Sequence, residues 1–134
     1  MISNSEGRGV YEVTVKKSFS AAHILREIGG KCENLHGHNF VVEVAVASHD
    51  LNAEGLLIDF RMLKKWTDEI LKELDHKYLN ELKAFENMNP SSERIAKFIF
   101  DRLSKKARRH HVEVCRVTVW ESENARVSYD GNTR

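Results

Sequence analysis

Three histidines give this chain its first chemical handle. His36 and His38 flank Gly37 and run directly into a strand-like stretch. Side chains two apart on a strand share a face, so both imidazoles can reach one metal ion. Their parity matches Phe40, Val42, Val44 and Val46, which puts them at the end of an apolar face. His23 closes an earlier strand-like stretch, and antiparallel pairing across the 26–35 connection brings it beside the other two. Three neutral imidazoles with one open position make a catalytic zinc site rather than a closed structural one. The open position lets zinc polarise a substrate oxygen or acidify a bound hydroxyl. An H-x-H pair alone is a weak motif; the expected placement of His23 strengthens it, and the other reading is surface or core histidines brought together by chance.

Other reactive groups stand near this pattern. Cys32 lies four residues before His36 in a glycine-containing loop. Beside a cation its thiol would ionise readily and serve as a base. It could instead be a fourth ligand, which would leave no open position, or a small buried hydrophobe. Asp75-His76 falls where a helix runs out: either a carboxylate fixing a histidine for proton relay, or a polar pair ending the helix. Glu121 shares parity with Cys115, Val117 and Val119 on the next long strand, on or next to the apolar face. A carboxylate there costs free energy unless it receives hydrogen bonds. A guanidine-like edge with two parallel N–H groups is one complement; a strand end turned to water is the other reading.

The elements that must position these groups read as follows. The strand 10–19 presents Tyr11, Val13 and Val15 on one side and continues towards His23. The strand 39–48 alternates Phe40, Val42, Val44 and Val46 against Val41, Glu43, Ala45 and Ala47. Asp59 caps a helix whose stripe is Phe60, Leu63, Thr67, Ile70, Leu71 and Leu74. A second helix begins near Asn89-Pro90, with Ile95, Phe98, Ile99 and Leu103 buried and Lys105, Lys106, Arg108 and Arg109 at its C-terminal end. The strand 111–121 follows, with Val112, Val114, Arg116, Thr118 and Trp120 to solvent, and 125–129 pairs with it as a hairpin. The order ββααββ predicts an α+β domain, an antiparallel sheet covered by two helices.

The 134 residues suit a single domain spanning 1–134, with polar ends at 1–9 and 130–134 expected to fray. Lys+Arg 21 against Asp+Glu 20 gives no electrostatic case for nucleic acid or an anionic membrane. No stretch has the length and apolarity of a membrane span, and no signal-peptide pattern opens the chain, so a cytoplasmic protein is expected. Two cysteines, Cys32 and Cys115, do not make a disulfide framework.

Taken in order, several segments carry a family resemblance: FSAAH at 19–23, Cys32 with LHGHN at 35–39, LIDF at 57–60 with Leu63-Lys64, LDHKYLN at 74–80, NPSSE at 89–93 and WES at 120–122. The chain resembles the 6-pyruvoyl-tetrahydropterin synthase superfamily, in particular the 6-carboxytetrahydropterin synthases of queuosine biosynthesis. The resemblance implies zinc on His23, His36 and His38, catalytic roles for Cys32, Asp75 and His76, and a pterin anchor at Glu121. It implies the tunnelling fold, a four-stranded antiparallel sheet with two helices on one face, and a homohexamer of two stacked trimers with active sites between subunits. The implied substrate is 7,8-dihydroneopterin triphosphate. The short gap Glu33-Asn34-Leu35 before the H-G-H resembles the carboxy type, which releases acetaldehyde and triphosphate; pyruvoyl-type animal enzymes have a longer one. Glu33 stands where some members carry a glutamate instead of the cysteine and form 6-hydroxymethyl-7,8-dihydropterin for folate. Cys32 and Glu33 standing together resembles members with both activities, so Glu33 is either a second catalytic group or an ordinary loop residue. The 105–111 run is either a triphosphate contact or a solvated helix end. A pterin-binding module without turnover is the non-enzymatic alternative.

Overall fold

The computed structural model describes residues 8–27 and 34–131. The order is β1 (Tyr11–His23), β2 (His36–Ser48), α1 (Phe60–Leu71), β3 (Lys77–Tyr78), α2 (Ser92–Ala107), β4 (Glu113–Ser122) and β5 (Ala125–Tyr129). They form a five-stranded mixed sheet in the order β3-β1-β2-β4-β5. The expected four-stranded antiparallel sheet and its ββααββ order need correction. The added strand, β3, pairs parallel with β1 through only two residues, Ala21↔Lys77 and Ala22↔Tyr78. The fraying expected at 1–9 and 130–134 falls mostly outside the described residues, but Arg8 Nη2 donates to Asp50 Oδ1 at 2.6 Å.

β1 and β2 are longer than periodicity suggested and pair without interruption from Tyr11↔Ser48 to His23↔His36. One face of this ribbon holds Val15, Phe19, Phe40, Val42, Val44 and Val46, all in the core beneath the two helices. Complete burial of such side chains contributes about 1.5–3 kcal/mol each, which fixes the register and hence the histidine positions.

Asp59 caps α1 as expected, its Oδ1 accepting from the N–H of Arg61 at 2.8 Å. Leu63, Thr67, Ile70 and Leu71 are buried, with the Thr67 hydroxyl donating to Leu63 O. Phe60 leaves the expected stripe and is 59% exposed, while Trp66 takes a core position. In α2 the cap is Ser91, whose hydroxyl accepts from the N–H of Arg94. The helix therefore starts at Ser92, just after the expected Asn89-Pro90, and Pro90 lies before the cap.

Two bulges break the parity of β4. Its register against β2 shifts between Ala45 and Val46, so that Val114 and Val117 both face the core. Cys115 is the extra residue. It leaves the expected face shared with Val117 and Val119, and Val112 and Val114 move from the expected solvent side into the core. Burial pushes the Cys115 thiol up to about 11, and its Sγ donates to Ala45 O at 3.3 Å. The second shift, between Trp120 and Ser122, leaves Glu121 without a partner on β5. Among the described residues no helix is long and apolar enough to cross a membrane.

Candidate metal centre

The long β1–β2 ladder ends with its histidines in register. His23 lies opposite His36, and Ala21 opposite His38. The rings stand edge to face, with centroids 4.5 Å apart for His23–His36, 4.6 Å for His36–His38 and 5.4 Å for His23–His38. Phe40 walls the cluster from the core side, in edge contact with His23 and His38.

Each anchored ring is turned by its other nitrogen. His23 Nδ1 lies 2.8 Å from Pro90 O and His36 Nδ1 2.7 Å from Asn34 O. A carbonyl accepts only, so these contacts place the proton on Nδ1 and free Nε2 as a ligand atom. Burial holds the His23 and His38 pKa values below the ordinary imidazole range, despite the opposing pull of Glu121. Neutral rings are the form a metal requires.

Glu121 completes the cluster, and its bulge aims it there. Its Oε1 lies 3.4 Å from His23 Nε2 and 3.7 Å from His38 Nε2. The buried Nε2 atoms of both histidines have no hydrogen-bond partner, and a buried polar atom without one is costly. Ligand atoms of His23, His36, His38 and Glu121 all lie within 4.8 Å of one another. Tetrahedral bonds of about 2.0–2.1 Å put neighbouring donor atoms about 3.3–3.4 Å apart, close to the two Glu121 contacts, so the group could hold one metal ion. Ser92, 8% exposed, places its hydroxyl 3.5 Å from Glu121 Oε1. Neither this hydroxyl nor the Pro90 carbonyl was singled out from sequence. The carbonyl carries no side-chain signal, and Ser92 reads as a helix-start serine.

Asp75 and His76 do not join the cluster. Asp75 Oδ1 accepts from the Ser20 N–H at 2.9 Å, and Oδ2 lies 3.0 Å from His76 Nδ1. The Ser20 bond is the main cause holding the Asp75 carboxyl below its usual range. His76 adopts the left-handed region, φ 59, and its N–H donates to Ser20 O at 2.6 Å. Its ring is 81% exposed and lines an open cleft of about 490 Å³ together with His38, Asn39 and Tyr78. Cys32 and Glu33 lie outside the described residues.

Fold and site define an α+β protein whose sheet end carries three histidines and a carboxylate able to hold a metal ion. The sequence pattern of the 6-pyruvoyl tetrahydropterin synthase family matches residues 12–132, and the chain belongs to that family. A 6-carboxy-5,6,7,8-tetrahydropterin synthase from Synechocystis is 44% identical over 93 residues, 66% of this chain and 70% of the relative. A dihydroneopterin monophosphate aldolase from Pyrococcus furiosus is 37% identical over 109 residues, 81% of this chain and 88% of the relative. The structure of Caenorhabditis elegans 6-pyruvoyl tetrahydropterin synthase superposes with a TM-score of 0.79 at 26% identity, covering 93% of this chain and 98% of that one.

Proposed function

We propose that the protein is a zinc-dependent 6-carboxy-5,6,7,8-tetrahydropterin synthase that converts 7,8-dihydroneopterin triphosphate with release of acetaldehyde and triphosphate. The observation that carries this reading is the convergence of His23, His36 and His38, two of them with buried, unpartnered Nε2 atoms, beside a carboxylate. Borderline nitrogen donors of this kind suit zinc. When bound, zinc would supply Lewis-acid polarisation of the substrate's side-chain oxygens.

The chain's own groups do the rest. Glu121 accepts the two parallel N–H groups of the aminopyrimidine edge, which seats the pterin against the histidines. Cys32 is the general base. Asp75 orients His76 through Nδ1, leaving the exposed ring to carry a proton through the cleft. Subunits assemble as a homohexamer of two trimers, with Asp75 and His76 serving a neighbour's site. The 81% exposure of His76, which lies outside the cluster of metal-ligating groups, supports that arrangement. The protein works in the cytoplasm, in the queuosine pathway, without nucleic acid or membrane partners.

A second reading has its own support. A relative named as an aldolase matches 81% of this chain at 37% identity, and Glu33 stands beside Cys32. In that reading the side chain is cleaved to 6-hydroxymethyl-7,8-dihydropterin, with Glu33 taking part. Zinc-loaded protein given the triphosphate and the monophosphate of dihydroneopterin in parallel separates the two. We expect 6-carboxytetrahydropterin and acetaldehyde from the triphosphate. The hydroxymethyl pterin as sole product, from either ester, overturns the first reading.

A further inference from the structure

Beyond His23 the chain leaves the sheet, yet it is held as though the sheet continued. β3 pairs with β1 only at Ala21 and Ala22 and then turns away into the 3-10 turn Leu79–Glu81. From that turn the Asn80 side chain resumes the ladder. Its Oδ1 accepts from the Ile24 N–H at 2.8 Å, and its Nδ2 donates to Ile24 O at 2.9 Å. Asn89 repeats the device two residues on. Its Oδ1 accepts from the Arg26 N–H at 2.8 Å, and its Nδ2 donates to Arg26 O at 2.9 Å.

A carboxamide carries one acceptor and one donor, the pair a neighbouring strand's peptide would offer. Ile24 and Arg26 are alternate residues, whose N–H and C=O groups open to the same edge of an extended chain. An aspartate in either place would set carboxylate lone pairs against a carbonyl oxygen, and an alanine would leave both backbone groups unpaired. Asn89 also adjoins Pro90, whose carbonyl holds His23 Nδ1 at 2.8 Å. His23 is therefore fixed through its ring on one side and through the residue that follows it on the other. Leu25, between the two clamped residues, lines a pocket of about 140 Å³ with Ser92, Glu121 and Arg126.

We propose that Asn80 and Asn89 are positioning residues for the metal centre. Their carboxamides prolong β1 past His23, set the line along which its Nε2 meets the metal, and hold Leu25 in the pocket beside Glu121. The proposal rests on the reading of His23 as a metal ligand.

The test uses the full chain loaded with Co²⁺ as a spectroscopic substitute, in wild type, Asn80→Asp, Asn89→Ala and Asn52→Ala. Asn52 is the control: its Oδ1 accepts from the N–H groups of Glu54 and Leu56 in a loop that contributes nothing to the centre. Amide hydrogen exchange should accelerate at Ile24 in the Asn80 variant and at Arg26 in the Asn89 variant. Both variants should shift the visible cobalt bands and weaken cobalt binding about 10–100-fold, as loss of groups supporting a metal ligand does elsewhere. Asn52→Ala should leave bands and affinity unchanged. If Asn80→Asp does not fold, the more exposed Asn89 clamp decides the question. Wild-type bands and affinity in a folded Asn89→Ala protein overturn the proposal, as does an equal shift in Asn52→Ala. A wild-type protein that takes up no cobalt removes the metal reading itself, and hydrogen exchange at Ile24 and Arg26 then still reports whether the clamps exist.

Discussion

Replacing Glu121 by glutamine separates the two roles its position allows. The carboxylate lies 3.4 Å and 3.7 Å from two imidazole nitrogens, which suits a metal ligand, yet it is also poised at the open side, 33% exposed, where a pterin could meet it. As the pterin anchor it accepts two charge-assisted hydrogen bonds. Glutamine keeps one acceptor but turns an NH₂ donor against a substrate N–H. Hydrogen bonds to charged groups contribute about 1.5–3 kcal/mol each, so losing one and opposing another costs about 3–4 kcal/mol. That corresponds to a fall of about 10²–10³ in kcat/KM. Metal affinity, measured by competition with a chromophoric chelator, should stay close to wild type, because three imidazoles remain. The assay pair is decisive because the alternative moves the other number. If Glu121→Gln loses metal by orders of magnitude but keeps near-normal kcat/KM once metal is saturating, Glu121 is a ligand and its role as anchor is wrong.

Other outcomes follow from the same geometry. His76→Gly removes the proposed relay ring but suits the left-handed backbone at φ 59; it should abolish turnover without lowering the melting temperature, since glycine relieves a strain of about 1 kcal/mol. A clear drop in melting temperature would mean that the ring holds the fold. Cys115 should make stability pH-dependent in alkali. Its folded pKa, about 11, exceeds the ordinary 9.0, so the unfolded chain loses its proton first and stability falls as pH rises from 9 to 11. Discounted for the thiol's partial exposure, the raised pKa corresponds to about 1–2 kcal/mol of stability lost across that window. Denaturant melts of Cys115→Ala should show a shallower decline over the same range; parallel curves would remove the burial argument. Leu63→Ala, at a fully buried site, should cost about 2–5 kcal/mol in urea unfolding. A cost well under that range would show the α1–sheet contact to be loosely packed.

How much of this was legible beforehand depends on where regular periodicity held. The β2 face ran true from Phe40 to Val46, and because His36 and His38 share its parity, the histidine geometry followed from the pattern. Where a single extra residue intervened, parity failed: the bulge at Cys115 reversed the expected sides of Val112 and Val114. The second bulge left Glu121 unpaired in β5 while its placement near the apolar face survived. β3 could not be foreseen, because two residues carry no periodicity and its pairing with Ala21 and Ala22 depends on where α1 ends. The bonds from Asn80 and Asn89 span 56 and 63 residues, separations at which no local propensity operates. The family resemblance added roles to residues whose chemistry alone left several readings open. That was most so for Asp75-His76, which the structure holds as a tied pair with the His76 ring on an open cleft.

The most direct test is restoration of activity by metal. Protein stripped by a strong chelator should fail to consume 7,8-dihydroneopterin triphosphate. Reloading with zinc, one ion per chain, should restore consumption and yield 6-carboxytetrahydropterin and acetaldehyde in equal amounts. Undiminished consumption by the stripped protein, or none after zinc is bound at His23, His36 and His38, would contradict the account.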